Sequence, residues 1–162
     1  MTHEAYHDPH LLGDGLAPTP FTADEIRSGC PEGRTIRIGV APSAGHPYVR
    51  ASRFEQCDDE GAVLARWRIG EDGGPDAGIE RSRVSWLDLQ RHAAFPAEAT
   101  RIHAAAIVLP FGEFDCLVYR VVRDGRESVF SFARALPGMP VRVERHGPDG
   151  VDVELMISDE RA

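Results

Sequence analysis

An Asp-Gly pair set between two alternating apolar runs constrains this chain more than any other short feature. Cys116 to Arg123 alternates around Leu117, Tyr119 and Val121, then Arg123-Asp124-Gly125-Arg126 intervenes, and Val129 to Phe132 resumes the pattern. Such a pair accepts the positive φ angles of a type I′ turn, whose twist matches that of the flanking strands. A two-residue loop at Asp124-Gly125 therefore faces Arg123 with Arg126, Tyr119 with Phe130 and Leu117 with Phe132. The same count sets Asp115 opposite Arg134, an ion pair expected at the rim of a strongly aromatic face.

Two further turns are proline-led. Pro148-Asp149-Gly150 reads as a three-residue loop, with proline pre-set for a type I turn and glycine in the left-handed position. That register sets Val143 against Leu155, Val141 against Ile157 and Glu144 against Glu154, the last an unfavourable like-charge pair. Pro110-Phe111-Gly112, counted in the same way, turns Ile102 to Leu109 back onto Glu113 to Val121. Ala104, Ala106 and Val108 then meet Val118, Cys116 and Phe114, and His103 lies opposite Tyr119. Both faces of the strand around Tyr119 are apolar, which calls for cover on both sides.

Upstream, strands are expected over Arg34 to Val40, Tyr48 to Gln56, Ala62 to Ile69 and Ile79 to Val84, with Asp58-Asp59-Glu60-Gly61 as a solvated turn. Thr22-Ala23-Asp24-Glu25 has the form of a capping box for a short helix ended by Gly29 and Pro31. Ser85-Trp86-Leu87-Asp88 is a second one, and Trp86, Leu89 and Ala93 then share one helical face. The expected fold is mainly β (α+β): a single curved antiparallel sheet or half-barrel wrapped on one short central helix, with a second short helix near the N-terminus. Trp86 and Leu89 of the central helix are expected to touch Phe130 or Phe132. Residues 1–20, rich in His, Pro, Gly and Asp, read as an extended or mobile arm, and 21–162 as one domain.

Composition excludes several function classes. The net charge is −8 and the arginines alternate with acids, so no nucleic-acid footprint is visible. Every basic residue apart from histidine is arginine, and lysine and asparagine are absent, as a GC-rich coding genome would give. Cys30, Cys57 and Cys116 are odd in number and lack a Cys-x-x-Cys pair, which fits free thiols in a reducing compartment. The N-terminus has neither a basic start nor an apolar run, and no later stretch is long enough to span a membrane, so a cytoplasmic location is expected.

The segment Phe130-Ser131-Phe132-Ala133-Arg134-Ala135-Leu136-Pro137-Gly138-Met139-Pro140-Val141-Arg142-Val143-Glu144 resembles the aromatic strand, short turn and Pro-Val-Arg strand of lipoprotein-carrier-like half-barrels and related families of unknown function. With the Gly112 to Val122 strand the resemblance covers the last third of the chain. It implies a curved antiparallel sheet around a helix, often with an apolar cavity, in which Phe130 and Phe132 face the cavity and Pro140 and Arg142 belong to the next strand.

The aromatic face carries the candidate site: His103, Leu117, Tyr119, Phe130 and Phe132, with Trp86 from the helix. An apolar wall with a few polar groups is what a small-molecule pocket needs, although the same residues also suit a plain core. If the protein is an enzyme, His103 and Tyr119 are the pair placed to exchange a proton. Asp115 lies roughly 13 Å from His103 along the strand, too far for a His-Asp dyad. Cys116 points to the other face, where a thiol acts as a small hydrophobe. His3, His7 and His10 are weak metal candidates against the plainer reading of an unstructured arm. Glu71, Asp72 and Asp76 lack EF-hand spacing and fit a solvated hairpin, and Gly13-Asp14-Gly15 lacks the strand and helix of a phosphate loop. No cofactor is implied. Three classes remain open: a non-catalytic binding protein with an apolar cup for a lipid-like or aromatic molecule, a small cyclase or isomerase using that cup, and an interaction module with a closed core whose arm or edge strand recruits a protein partner or a second copy.

Overall fold

Turn chemistry sets the architecture. In the computed structural model, which describes residues 7–161, the strands are β1 (Thr35–Ala41), β2 (Tyr48–Glu55), β3 (Gly61–Arg68), β4 (Glu80–Ser85), β5 (Thr100–Leu109), β6 (Gly112–Arg123), β7 (Arg126–Ala133), β8 (Arg142–Gly147) and β9 (Gly150–Glu160). They form one antiparallel sheet in the order β4-β3-β2-β1-β9-β8-β7-β6-β5. Two meanders are thus joined edge to edge by β1 and β9, and the sheet stays open at β4 and β5. It curls, because β5 reaches β9 although three strands lie between them. Helices α1 (Ala23–Gly29) and α2 (Trp86–Arg91) cover one face, here called the inner face.

The helices start where their caps demand. Thr22 Oγ1 accepts the Glu25 N–H and the Glu25 carboxylate accepts the Thr22 N–H, a complete capping box. At α2 only half of the box forms: Ser85 Oγ accepts the Asp88 N–H. The helix ends at Arg91, before Ala93. No helix of the described chain is long and apolar enough to cross a membrane.

The Asp-Gly hairpin pairs as expected. Asp124 and Gly125 take φ +52° and +74°, and Arg123–Arg126, Tyr119–Phe130 and Leu117–Phe132 are partners. Arg134 donates its N–H to the Asp115 carbonyl at 3.0 Å, so these two residues oppose each other. The ion pair expected between them is absent: both are exposed, and Asp115 has no cationic partner among the described residues. A solvated pair at a rim gains little from holding two side chains together.

Both proline-led turns are one residue tighter than expected, and this is the main correction to the sequence reading. Leu109 pairs with Gly112 across Pro110-Phe111, and Gly147 with Gly150 across Pro148-Asp149. Proline takes the first central position, and glycine the fourth position of the turn rather than a third loop position. Gly112 and Gly150, at φ +150° and +131°, open the returning strands in a conformation that disfavours a side chain.

A slip of one residue exchanges the faces of a strand. Ile102 rather than His103 therefore pairs with Tyr119, and His103 pairs with Val118. Val143 pairs with Glu154 and Glu144 with Val153, which removes the expected Glu144–Glu154 repulsion and places Glu154 on the inner face.

The N-terminal segment is packed where it is described. Ala17, Thr19, Pro20 and Phe21 are buried, and Ala17 donates its N–H to the Phe95 carbonyl. Gln90 of α2, also buried, receives the Ala23 N–H and donates to the Pro9 carbonyl and to Thr19 Oγ1. One side chain thus binds the segment to both helices.

A second tie is ionic. The fully buried Arg34 donates from Nε and Nη2 to Asp159 at 3.0 and 2.9 Å, and from Nη1 to the carbonyls of Gly29 and Pro137. It joins the start of β1, the end of α1, the β7–β8 loop and the end of β9.

Candidate functional site

The inner face divides into a filled half and a hollow half. Over β5–β7 it is filled. Phe132 meets Phe21 edge-on at 6.3 Å and Tyr119 at 5.4 Å, while Phe95 stacks on Phe130 at 4.9 Å. Tyr119 is buried and donates its hydroxyl to the Pro18 carbonyl at 2.6 Å, and burial pushes its pKa up to about 12. Such a hydroxyl stays protonated across the physiological range.

His103 does not join this group. It is exposed on the opposite face, where a separate cavity of about 200 Å³ is lined by His103, Ala105, Val118, Ser131 and Glu144. The expected proton exchange between His103 and Tyr119 therefore has no geometry: the sheet lies between them. Leu117 and Ile102 lie beside Tyr119, as the alternation requires, but their surroundings are occupied by Pro18, Thr19 and Phe21.

The hollow half lies under α2. A cavity of about 250 Å³ has an apolar wall of Phe54, Leu64, Leu89, Phe95, Phe130 and Phe132. It adjoins a second space of about 420 Å³, with Arg50, Arg66, Met139, Pro140, Val143, Arg145 and Glu154 lining both. Phe130 and Phe132 are among its lining residues. Trp86 is buried, as expected, but it does not reach them. Its ring lies 6.2 Å from Phe54, outside the cavity, and its Nε1 donates to the Asp58 carbonyl. The helix packs toward β3 and β4, and Leu89, one turn later, lines the same cavity as Phe130 and Phe132.

The polar side of the cup was missed at the level of sequence. Arg50 donates to Glu154 at 2.8 Å, Arg145 lies 3.4 Å from the other carboxylate oxygen, and its guanidinium sits 5.8 Å from the Phe130 ring. Arg66 lines both spaces, and among the described residues it has no ion-pair partner, although Glu80 pairs with it across the strands. The signal was present. Arg50-x-Ser52-x-Phe54 and Leu64-x-Arg66 place charges at the alternate positions that Phe54 and Leu64 mark as inward.

The remaining candidates have ordinary roles. Cys30 and Cys116 are buried, and burial pushes both thiols up, partly opposed at Cys30 by the Arg34 guanidinium. Neither is an activated nucleophile. His10 donates from Nδ1 to the Thr19 carbonyl and holds Nε2 3.4 Å from Glu25, His7 is exposed, and His3 lies outside the described residues. Among the described residues no three His, Cys, Asp or Glu side chains form a metal-binding group. In the acidic loop Asp72 accepts the Gly74 N–H, as in a hairpin turn.

No protein-family profile matches the chain. Leucine--tRNA ligase of Sphingopyxis alaskensis is 29% identical over 103 residues, which is 56% of this chain and 12% of the ligase. The chain thus spans about an eighth of the length of the curated relative it matches.

Proposed function

We propose that this chain is a non-catalytic binding protein whose inner-face cup holds an apolar small molecule. The observation that carries the reading is the hollow beneath α2: Phe54, Leu64, Leu89, Phe95 and Phe130 wall a space that opens into a second one, whereas Phe132 is packed between Phe21 and Tyr119. Together the two spaces fall in the range of small-molecule sites, about 300–1,000 Å³, and the mix of apolar wall and few polar groups fits that use. The lipoprotein-carrier-like resemblance of the last third points the same way. A catalytic role for His103 with Tyr119 gains no support, since the two side chains lie on opposite faces. The three free cysteines fit the cytoplasm as its compartment.

A neutral, environment-sensitive apolar dye titrated against the folded protein is expected to give saturable, one-to-one binding. Leu89→Trp, which fills the cup from the helix side, is expected to abolish it with little change in the melting temperature, because Leu89 is only half-buried. Binding that survives Leu89→Trp in a folded protein would place the dye elsewhere and refute the cup.

A further inference from the structure

We infer that the molecule held in the cup is an amphiphile that ends in a single anionic oxygen group, with its apolar body under α2 and its head at Arg66. This deepens the binding-protein reading and rests on it. The cup has two chemically distinct ends. One is walled by Phe54, Leu64, Leu89 and Phe95, with His92 also in its lining. The other carries three guanidiniums, from Arg50, Arg66 and Arg145, and one carboxylate, from Glu154.

Among the lining residues three guanidiniums face one carboxylate, and Glu154 is shared between Arg50 and Arg145. Glu80 lies across the strands from Arg66 and Asp152 across from Arg145, neither of them in the lining. Arg66 has no ion-pair partner among the described residues and lines both spaces, at the junction of the apolar and charged ends. A guanidinium so placed presents a planar fork of donors that matches a carboxylate or phosphate oxygen pair. A neutral ligand would leave those donors to water alone. A zwitterionic head would bring a cation of its own among the same arginines.

The test compares decanol, decanoate and decyl phosphate by calorimetric titration of the whole chain at neutral pH, below the concentration at which each aggregates. Decanoate or decyl phosphate is expected to bind at least tenfold tighter than decanol, a ratio in keeping with one charge-assisted hydrogen-bond pair. The more strongly bound of the two identifies the head as carboxylate or phosphate. The advantage should shrink as salt is raised, and should vanish in Arg66→Gln. If decanol binds as well as either anion, or if Arg66→Gln leaves the anion's advantage intact, the inference is overturned while the cup stands. If none of the three binds, the cup itself fails and the inference with it.

Discussion

Replacing Arg34 by Ala is expected to cost about 3–5 kcal/mol of stability, the range measured when one partner of a buried ion pair is removed. Arg34 is fully buried, and Asp159, its bidentate partner, has a side chain only 3% exposed. The substitution strands that carboxylate, and it also releases the carbonyls of Gly29 and Pro137 from the donor they share. Arg161, 3.9 Å from Asp159, is too exposed and too distant to replace the lost fork. Removing both charges together, with Arg34→Met and Asp159→Leu, should recover much of the loss, because no uncompensated charge then remains inside. Chemical denaturation of the two variants measures this directly. A loss below about 1 kcal/mol in Arg34→Ala, the range of an exposed pair, would mean that water reaches this site.

The second large effect is expected at Phe132. It is 3% exposed and packs edge-on against Phe21 and Tyr119, so Phe132→Ala should open a void costing about 3–5 kcal/mol. Phe130 is only half-buried, stacks on Phe95 and forms the neighbouring wall of the cup. Phe130→Ala should therefore cost less stability and weaken binding of an apolar dye more. Paired unfolding and dye titrations of the two variants separate the filled half of the aromatic face from the hollow half. Equal losses of stability with unchanged dye binding would mean that both rings belong to one closed core.

Much of the fold was legible because strand periodicity and turn residues are local. Asp124-Gly125 has only one good way to turn, and the β6–β7 register followed from it residue for residue. The bounds of β1 to β4, to within one residue, and the capping box at Thr22 were likewise read from alternation and cap chemistry. The prolines were ambiguous in a way that Asp-Gly is not. Pro-x-Gly fits either a three-residue loop or a two-residue turn closed by glycine, and the difference of one residue moves a whole strand's side chains through the sheet. His103 left the aromatic face on that account, and Glu154 joined Arg50 on the inner face. The pairing of β1 with β9 had no local signal at all, since it joins residues from opposite ends of the chain.

The candidate site was legible in part for the same reason. Phe130 and Phe132 were placed by the hairpin. Arg50, Arg66, Arg145 and Glu154 are brought together only by the long-range order of the sheet, with β3 and β8 contributing from separate meanders. Trp86 was rightly buried and wrongly partnered, because helical spacing gives the face of a helix but not its position along the sheet. The N-terminal segment has no period, so nothing in it announced that Phe21 and Pro18 would cover Leu117 and Tyr119.

Binding of an apolar molecule beneath α2 is tested most directly by mapping amide chemical shifts in a titration with decanol. The expected result is saturable shifts concentrated at Phe54, Leu64, Leu89, Phe130 and Val143, with His103, Ala105 and Val118 on the opposite face unmoved. Shifts centred on His103 and Val118, or none that saturate, would contradict the cup.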